Sequence, residues 1–223
     1  MKKWTVLITG GSRGIGKAIV LLLKKNNYTV LAPKRSELDL SDNDSIDQFI
    51  TAHKHAPVDI LINNAGVNVP AWIDEMDDQN IESTIQINLT APIRLVRGFV
   101  AGMKKQKWGR IINMSSAFGV VARGKQTLYS ATKHGINGFT KALALELAPY
   151  NILVNSICPG FADTELVTKK NTPEKIATLL RDVPLGRLIT PQEIAQLVLF
   201  LISEHNTAIT GDTILIDGGF TSR

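Results

Sequence analysis

The chain has 223 residues, 44% of them hydrophobic and 20% charged, and its formal net charge is +5. This length suffices for one buried core, so a single domain over residues 1–223 is expected. The one cysteine excludes an internal disulfide, and no histidine or cysteine spacing predicts a metal site. The apolar runs are too short for an export signal or a membrane span, and the basic residues form no nucleic-acid module. We therefore expect a cytoplasmic protein that binds neither a membrane nor a nucleic acid.

Short apolar runs alternate with amphipathic stretches from one end of the chain to the other. Ile15, Ile19 and Leu22 share one face of a predicted helix, and Thr190–Glu193 has the sequence of a helix-starting capping box. Strands that are apolar nearly throughout are typical of a parallel sheet covered on both faces, which indicates a doubly wound α/β fold. The predicted strands are Trp4–Ile8, Tyr28–Ala32, Val58–Ile62, Arg110–Met114, Ile152–Ile157 and Thr213–Ile216.

A glycine-rich turn, Thr9–Gly16, lies between the first predicted strand and the first predicted helix. Glycines allow the backbone to turn tightly and to approach a pyrophosphate, which binds the free N–H groups at the start of a helix. This position in an α/β chain predicts dinucleotide binding, and a purely structural turn would need fewer glycines.

Tyr129 and Lys133 are four residues apart on a predicted helix, so they share a face. A free tyrosine has a pKa of about 10, and a neighbouring ammonium is expected to lower it and ease proton exchange. Ser116 precedes Tyr129 by thirteen residues and follows a predicted strand, where its hydroxyl would bind a substrate oxygen. Ser115 is the alternative, although the spacing favours Ser116.

These features together resemble the short-chain dehydrogenase/reductase family along almost the whole chain. The family's glycine pattern T-G-x-x-x-G-x-G matches at Thr9–Gly16, and its C-terminal pattern matches from Pro184–Arg187 through Asp217–Gly219. The N-N-A-G element matches at Asn63–Gly66 and the P-G-x-x-x-T element at Pro159–Thr164. The resemblance implies one Rossmann-type domain, and the family's catalytic tetrad falls on Asn88, Ser116, Tyr129 and Lys133.

Hydride transfer between a nicotinamide cofactor and a carbonyl or alcohol is the activity that the resemblance implies. Tyr129 would donate the proton, Ser116 would orient the oxygen, and Asn88 would hold a water in a relay to Lys133, which also binds the ribose. The implied cofactor-binding residues are Gly10, Ser12, Arg13, Gly14, Ile15, Gly16, Lys34, Arg35, Asp39, Leu40, Asn64, Ala65, Gly66, Tyr129, Lys133, Pro159, Gly160 and Thr164.

The residues after the second predicted strand favour NADP(H) over NAD(H). NAD enzymes usually place an acid there for the ribose 2′-hydroxyl, but this chain has no acid before Glu37. Lys34, Arg35 and Arg13 instead offer three cations, which suit a 2′-phosphate.

Only Pro33–Leu38 separates the second strand from Asp39–Leu40, the part expected to meet adenine. A parallel crossover needs about a dozen residues or more, so the family's usual third strand and the helix before it are expected to be missing. We therefore predict six parallel strands with Tyr28–Ala32 at one edge and adenine against the short loop Ser36–Leu40.

Within the family, the pattern is most similar to the 3-oxoacyl-[acyl-carrier-protein] reductases. Lys107 would then be a basic docking residue for a carrier protein near the mouth of the active site. Tyr150 stands where a second docking arginine is common, which favours instead a reductase of a small metabolite or sugar ketone. A non-catalytic NADP(H)-sensing protein is the alternative of another class, but such proteins typically lose the tyrosine or the lysine. Expected pocket residues are Trp72, Phe118, Phe161, Leu166 and Val167, with Phe161–Val183 as a lid.

Assembly into a homotetramer, or failing that a dimer, is also implied by the resemblance. Relatives pair through two long helices, which here contain Asn88–Met103 and Tyr129–Leu147, and through the last strand. Phe139, Leu143 and Leu147 form an apolar stripe on the second helix. That stripe packs either on a partner or on the chain's own sheet.

Overall fold

Parallel strands form one sheet in the computed structural model, which describes residues 3–165 and 172–222, without the side chain of Pro173. In chain order they are β1 (Thr5–Ile8), β2 (Thr29–Leu31), β3 (Ile60–Asn63), β4 (Gly109–Met114), β5 (Ile152–Pro159) and β6 (Thr213–Ile216). The sheet has six strands in the order β2-β1-β3-β4-β5-β6, and every neighbouring pair is parallel. The predicted fold class and the strand number are confirmed.

Helices cover both faces of the sheet, because successive strand residues point to opposite sides and both sides are apolar. The α-helices of the described ranges are α1 (Gly14–Lys25), α2 (Asn43–His53), α3 (Asp78–Ile85), α4 (Ala91–Gln106), α5 (Thr127–Leu147), α6 (Pro173–Leu180) and α7 (Pro191–Ile202). Val6 and Ile8 of β1 pack in the core that α1 and α7 complete, whereas Leu7 packs in the core beneath α2, α4 and α5. The predicted capping box starts α7: the Thr190 hydroxyl accepts from the N–H of Glu193, whose carboxylate accepts from the N–H of Thr190.

β2 is an edge strand, as the length of the following segment predicts. The chain leaves β2 at Leu31, forms the loop that ends at Asp42, and passes through α2 to β3 on the other side of β1. Leu38 anchors this loop in the core with 5% of its surface exposed. Among the residues that the structure describes, no strand lies beyond β2, so the expected loss of a strand is confirmed.

A single π turn, Gln86–Thr90, joins α3 to α4. Such turns add a residue to the helical path and are frequent at functional sites. Here the turn carries Asn88 into the interior, where only 2% of its surface is exposed. Gln86 of the same turn donates from its side-chain amide to the carbonyl of Leu40 at 3.2 Å, which ties the turn to the loop after β2.

The amino ends of the strands form an edge held by aromatic and cationic side chains. The Trp4 and Trp108 rings stack with centroids 3.7 Å apart, and the Arg110 guanidinium lies 4.5 Å from the centroid of Trp108. Lys104 and Lys105 occupy the last turn of α4, where cations offset the helix dipole. Lys107 caps α4 in a left-handed conformation directly before β4, so it belongs to this edge.

The apolar stripe of α5 faces the chain's own sheet. Leu143 and Leu147 are 7% and 1% exposed, and Phe139 packs against the same core. The stripe is therefore not a partner surface, and of the two alternatives the packing on the chain's own sheet is correct. The opposite face of α5 exposes Leu145 at 80% and leaves the space around Gly138 open. No helix within the described ranges is long and apolar enough to cross a membrane.

Candidate active site

A cleft of about 440 Å³ opens at the carboxyl ends of β1, β3, β4 and β5. Every predicted cofactor-binding residue except Gly160 lines it. These are Gly10, Ser12, Arg13, Gly14, Ile15, Gly16, Lys34, Arg35, Asp39, Leu40, Asn64, Ala65, Gly66, Tyr129, Lys133, Pro159 and Thr164. The fold thus brings segments from most of the chain to one edge of the sheet, where ligands of open α/β sheets bind.

The glycine-rich turn forms a cradle at the start of α1. Gly10 has φ +67°, and a Cβ there would come within 3.0 Å of the Ala65 Cα atom. A Cβ on Gly16 would lie 2.1 Å from the carbonyl oxygen of Gly10, so only glycine permits this approach. Arg13 makes no side-chain cap bond, and the first N–H groups of α1 therefore remain for a ligand. A cradle of this shape and polarity fits a pyrophosphate.

Thr9 and Asn64 hold that cradle in place. The Thr9 hydroxyl accepts from the backbone N–H groups of Asn64 and Ala65, each at 3.1 Å. The Asn64 amide nitrogen donates to the carbonyls of Thr9 at 2.9 Å and of Gly10 at 3.1 Å. These bonds join the end of β1 to the end of β3, so both residues brace the turn, and Asn64 also lines the cleft.

Three exposed cations, Arg13, Lys34 and Arg35, line one end of the cleft. The Arg35 Nε atom donates to Asp39 Oδ2 at 3.0 Å. The other carboxylate oxygen of Asp39 accepts from the N–H and the hydroxyl of Ser41 at 2.9 and 2.6 Å. The bonds from Ser41, and after them that from Arg35, hold the Asp39 pKa below its ordinary value. Asp39 therefore positions Arg35 at the cleft.

Tyr129, Lys133 and Ser116 meet at the other end of the cleft. The Ser116 hydroxyl favours the phenolate form of Tyr129, and the Lys133 Nζ atom lies 5.6 Å from the centroid of the tyrosine ring. Lys133 donates to the carbonyl of Met114 at 2.7 Å, which fixes the ammonium at the end of β4. The Ser115 hydroxyl donates instead to the backbone carbonyl of Lys133 at 3.1 Å. The geometry thus pairs Ser116, rather than Ser115, with Tyr129.

Burial dominates the protonation of this pair. It raises the pKa of Tyr129 above 10, and the hydrogen bond from Ser116 offsets only part of that rise. Burial also lowers the pKa of Lys133 to about 8. The expected lowering of the Tyr129 pKa is not found in the protein alone, because removing the phenolate from water costs more than the contact with Ser116 returns. The phenol is consequently protonated at neutral pH.

The buried ammonium predicts a pH-dependent stability. Between pH 8 and 10.5 the folded state loses the Lys133 proton while the unfolded state keeps it, so wild-type stability rises with pH in this window. Lys133→Met has no titrating group at this position. As the pH rises from 8 to 10.5, its free energy of unfolding minus that of wild type is therefore expected to fall by about 3 kcal/mol. Urea unfolding of both proteins at several pH values measures the difference, and parallel stability curves would contradict the assignment.

Asn88 joins the π turn to two other segments. Its amide nitrogen donates to the carbonyl of Val67 at 2.9 Å and to the hydroxyl of Thr132 at 3.2 Å, and its oxygen accepts from the N–H of Val67 at 2.9 Å. A Cβ on Gly66 would lie 3.2 Å from that oxygen and 3.6 Å from Lys133 Nζ. Asn88 does not line the cleft itself, but its oxygen and the lysine border the same glycine.

Two predicted pocket residues belong to an aromatic group beside Ser116. Phe118, Phe161 and the unpredicted Phe220 lie edge to face, with centroids 5.1 to 6.2 Å apart. Gly160 lies beside them and donates its N–H to the carbonyl of Ile216, and a Cβ there would be 2.8 Å from the Asp217 Cα atom. The structure thus gives Gly160 a role in strand packing.

Trp72, another predicted pocket residue, does not belong to this group. Trp72 is 51% exposed, with Lys125 Nζ 4.9 Å from its ring centroid. Leu166 and Val167 lie outside the described residues, as does the central part of the predicted lid.

Comparisons with known proteins find relatives along almost the whole chain. A family model described as enoyl-(acyl carrier protein) reductase matches residues 32–221. The 3-oxoacyl-[acyl-carrier-protein] reductase FabG of Vibrio harveyi is 37% identical, with 96% of this chain and 95% of the relative covered. The acetoacetyl-CoA reductase of Shinella zoogloeoides is 38% identical, with 96% of each covered. The chain belongs to the short-chain dehydrogenase/reductase family.

A solved short-chain dehydrogenase/reductase structure covers this chain completely. ElxO with NADP bound superimposes with a TM-score of 0.92 at 29% identity, and all of both chains is covered. A tyrosine-to-phenylalanine variant of ElxO has NADPH bound. The fold of the chain therefore matches that of a related protein over its whole length.

Several residues of this short-chain dehydrogenase/reductase site were not predicted. Val67, Asn68 and Ile87 line the cleft, and they are neighbours in sequence of the predicted Gly66 and Asn88. That proximity is the only signal they carry. Phe220 follows the Asp217–Gly219 segment that was matched to the family. An aromatic residue directly after that segment is the sequence feature that could have predicted its place beside the site.

The prediction that Lys107 docks a carrier near the active-site mouth is wrong for the chain's own cleft. Lys107 precedes β4, and Tyr150 precedes β5, so both lie at the amino edge of the sheet. The short-chain dehydrogenase/reductase cleft lies at the carboxyl edge. In the described part of the chain, no three histidine, cysteine or acidic residues group as metal ligands.

Proposed function

We propose that the chain reduces a ketone to a secondary alcohol with NADPH, in the manner of a 3-oxoacyl-thioester reductase. The proposal rests on one observation: Ser116, Tyr129 and Lys133 meet at the end of a cleft whose other parts fit a dinucleotide. The bound cofactor supplies the hydride that forms the new C–H bond, and it leaves as NADP⁺.

The chain's own residues handle the oxygen and its proton. The hydroxyls of Ser116 and Tyr129 orient the carbonyl oxygen, and the phenol gives it the proton that completes the alcohol. The raised pKa of Tyr129 keeps that proton in place until the oxygen becomes basic. Lys133 has donors left beside its bond to Met114, and these hold the ribose hydroxyls.

Proton return to Tyr129 is the role proposed for Asn88. Its side-chain oxygen and Lys133 Nζ border Gly66 on one side of the cleft wall. A water held by that oxygen would pass a proton to Lys133 and from there toward the tyrosine. The bonds from Asn88 to Val67 and Thr132 keep the oxygen in position during this transfer.

A preference for NADPH follows from Arg13, Lys34 and Arg35. We expect NADPH to bind at least about tenfold more tightly than NADH, since charge-assisted bonds to a phosphate are each worth about 1.5–3 kcal/mol. Titration calorimetry with both nucleotides measures the ratio. ElxO, which has NADP bound, supports the same choice.

The double variant Lys34→Asp with Arg35→Gln tests whether these cations cause the preference for NADPH. In this variant the ratio of the NADH and NADPH dissociation constants should fall or invert. Lys25→Asp is the matched control, because Lys25 is exposed at the far end of α1 and does not line the cleft. Equal dissociation constants for the two nucleotides in wild type would overturn the assignment.

The substrate class is tested with purified protein, NADPH, and a panel of ketones, acetoacetyl thioesters and keto-sugars. Reduction of the thioesters is expected, because relatives named for 3-oxoacyl and acetoacetyl substrates share 37% and 38% identity. A small metabolite or sugar ketone is the second candidate, favoured by the distance of Lys107 and Tyr150 from the cleft. NADPH binding without any reduction would instead identify a cofactor-sensing protein.

We expect the chain to assemble into a homotetramer, or failing that a dimer. A cytoplasmic location is also proposed. Leu145 at 80% exposure and the open space around Gly138 give α5 an unpartnered face, and β6 is an edge strand with Leu215 at 40% exposure. Multi-angle light scattering at micromolar concentration should give the mass of the assembly. A monomer mass of 24.4 kDa would contradict it.

A further inference from the structure

A small pocket adjoins Ser116 beside the nucleotide cleft, and Pro159 lines both spaces. Its volume is about 30 Å³, and its walls are Ser116, Ala117, Phe118, Pro159, Gly160, Phe161 and Phe220. One water-sized group needs about 10–15 Å³. The pocket therefore has room for a methyl or at most an ethyl group.

The three phenylalanines that close this pocket hold one another in place. The centroid distances are 6.2 Å for Phe118–Phe161, 6.0 Å for Phe118–Phe220 and 5.1 Å for Phe161–Phe220, and all three contacts are edge to face. Edge-to-face pairs at these distances are stabilising beyond their buried area. The trio therefore forms a mutually supported wall.

Hydrogen bonds outside the trio hold the main chain at or beside each phenylalanine. The N–H of Phe118 donates to the Ser116 hydroxyl oxygen at 3.1 Å, and the carbonyl of Phe161 accepts from Ile189 at 2.9 Å. Phe220 lies in a turn organised by Asp217, whose carboxylate accepts from the N–H groups of Gly219 and Thr221, each at 2.9 Å. A wall that is anchored in this way resists widening to admit a larger group.

The position of the catalytic hydroxyls decides which part of a ketone enters the pocket. Ser116 borders the small pocket, whereas Tyr129 borders the large cleft. A carbonyl oxygen that contacts both hydroxyls places its carbon beside the small pocket, so the smaller substituent of that carbon can enter the pocket while the nucleotide occupies the large cleft. We propose, building on the ketone reduction above, that the substrate is a methyl ketone whose methyl group occupies the pocket closed by Phe118, Phe161 and Phe220.

Two thioesters that differ only at this end test the proposal. The probes are acetoacetyl-coenzyme A, which ends in methyl, and 3-oxohexanoyl-coenzyme A, which ends in propyl. Wild type is expected to favour the methyl compound in kcat/KM by at least about tenfold, since each misfitting methylene changes discrimination by roughly 10–200-fold. Phe220→Ala should open the wall and bring the ratio to within about threefold.

Phe200→Ala is the matched control, because Phe200 is 45% exposed on α7 and borders neither space. Its ratio should equal that of wild type, and both variants should bind NADPH normally, which shows that they are folded. Phe161→Ala is the second variant if Phe220→Ala fails that check. Equal rates with both thioesters in wild type, or an unchanged ratio in a folded wall variant, would overturn this proposal alone. Reduction of neither thioester, nor of any simple methyl ketone, would overturn the proposed function as well.

Discussion

Tyr129→Phe is expected to lower kcat by about 10²–10⁴-fold, the usual contribution of a positioned proton donor. The variant loses only the phenolic hydroxyl that meets Ser116, and it keeps the ring that packs near Lys133. The dissociation constant for NADPH should therefore remain within about twofold of wild type, because the cradle, the three cations and Lys133 are unchanged. Loss of NADPH absorbance measures turnover, and titration calorimetry measures binding.

Tyr150→Phe provides the matched control for that experiment. Tyr150 lies at the amino edge of the sheet beside Lys104, far from the cleft, so its variant should turn over normally. Residual activity above about a tenth of wild type in Tyr129→Phe would mean that another group delivers the proton.

Lys133→Ala is expected to damage both turnover and cofactor binding. Each should fall by at least about tenfold, because the ammonium is fixed at Met114 and its remaining donors serve the ribose and the proton relay. Initial rates and calorimetric titration of NADPH separate the two effects. Lys141→Ala, an exposed position two turns further along α5, controls for the loss of a lysine from this helix. Normal NADPH affinity together with lost turnover would remove Lys133 from the ribose site.

Local patterns and chain length predicted most of the fold. The strands read from apolar runs differ from the observed ones by only a few residues at either end. The edge position of β2 followed from the few residues available before Asp39, since steric reach does not depend on tertiary detail. The neighbour on which the α5 stripe packs could not be predicted in this way. Periodicity shows that Phe139, Leu143 and Leu147 share a face. It does not show what covers that face, because the chain's own sheet and a partner helix both require apolar residues there.

Motif spacing predicted which residues line the site, but it did not predict their environment. The Tyr129 pKa depends on how much water the fold excludes, and no spacing along the chain records that quantity. The bonds of Asn88 reach Val67 and Thr132, which are 21 and 44 residues away, so they appear only when three segments meet. The placement of Lys107 was available from topology, because a residue just before a parallel strand lies at the opposite edge from a residue just after one.

The three tryptophans are divided between the two ends of the sheet, and this makes them separate optical reporters. Trp4 and Trp108 are stacked at 3.7 Å at the amino edge, where their coupled transitions give a near-ultraviolet circular dichroism signal of the packed fold. Trp72, whose ring lies beside Lys125, is 51% exposed on the segment that continues from the cleft, so its fluorescence responds to solvent and to molecules that arrive there. Quenching of Trp72 by iodide, followed beside the dichroism of the stacked pair, therefore distinguishes ligand arrival from unfolding in a single unlabelled sample.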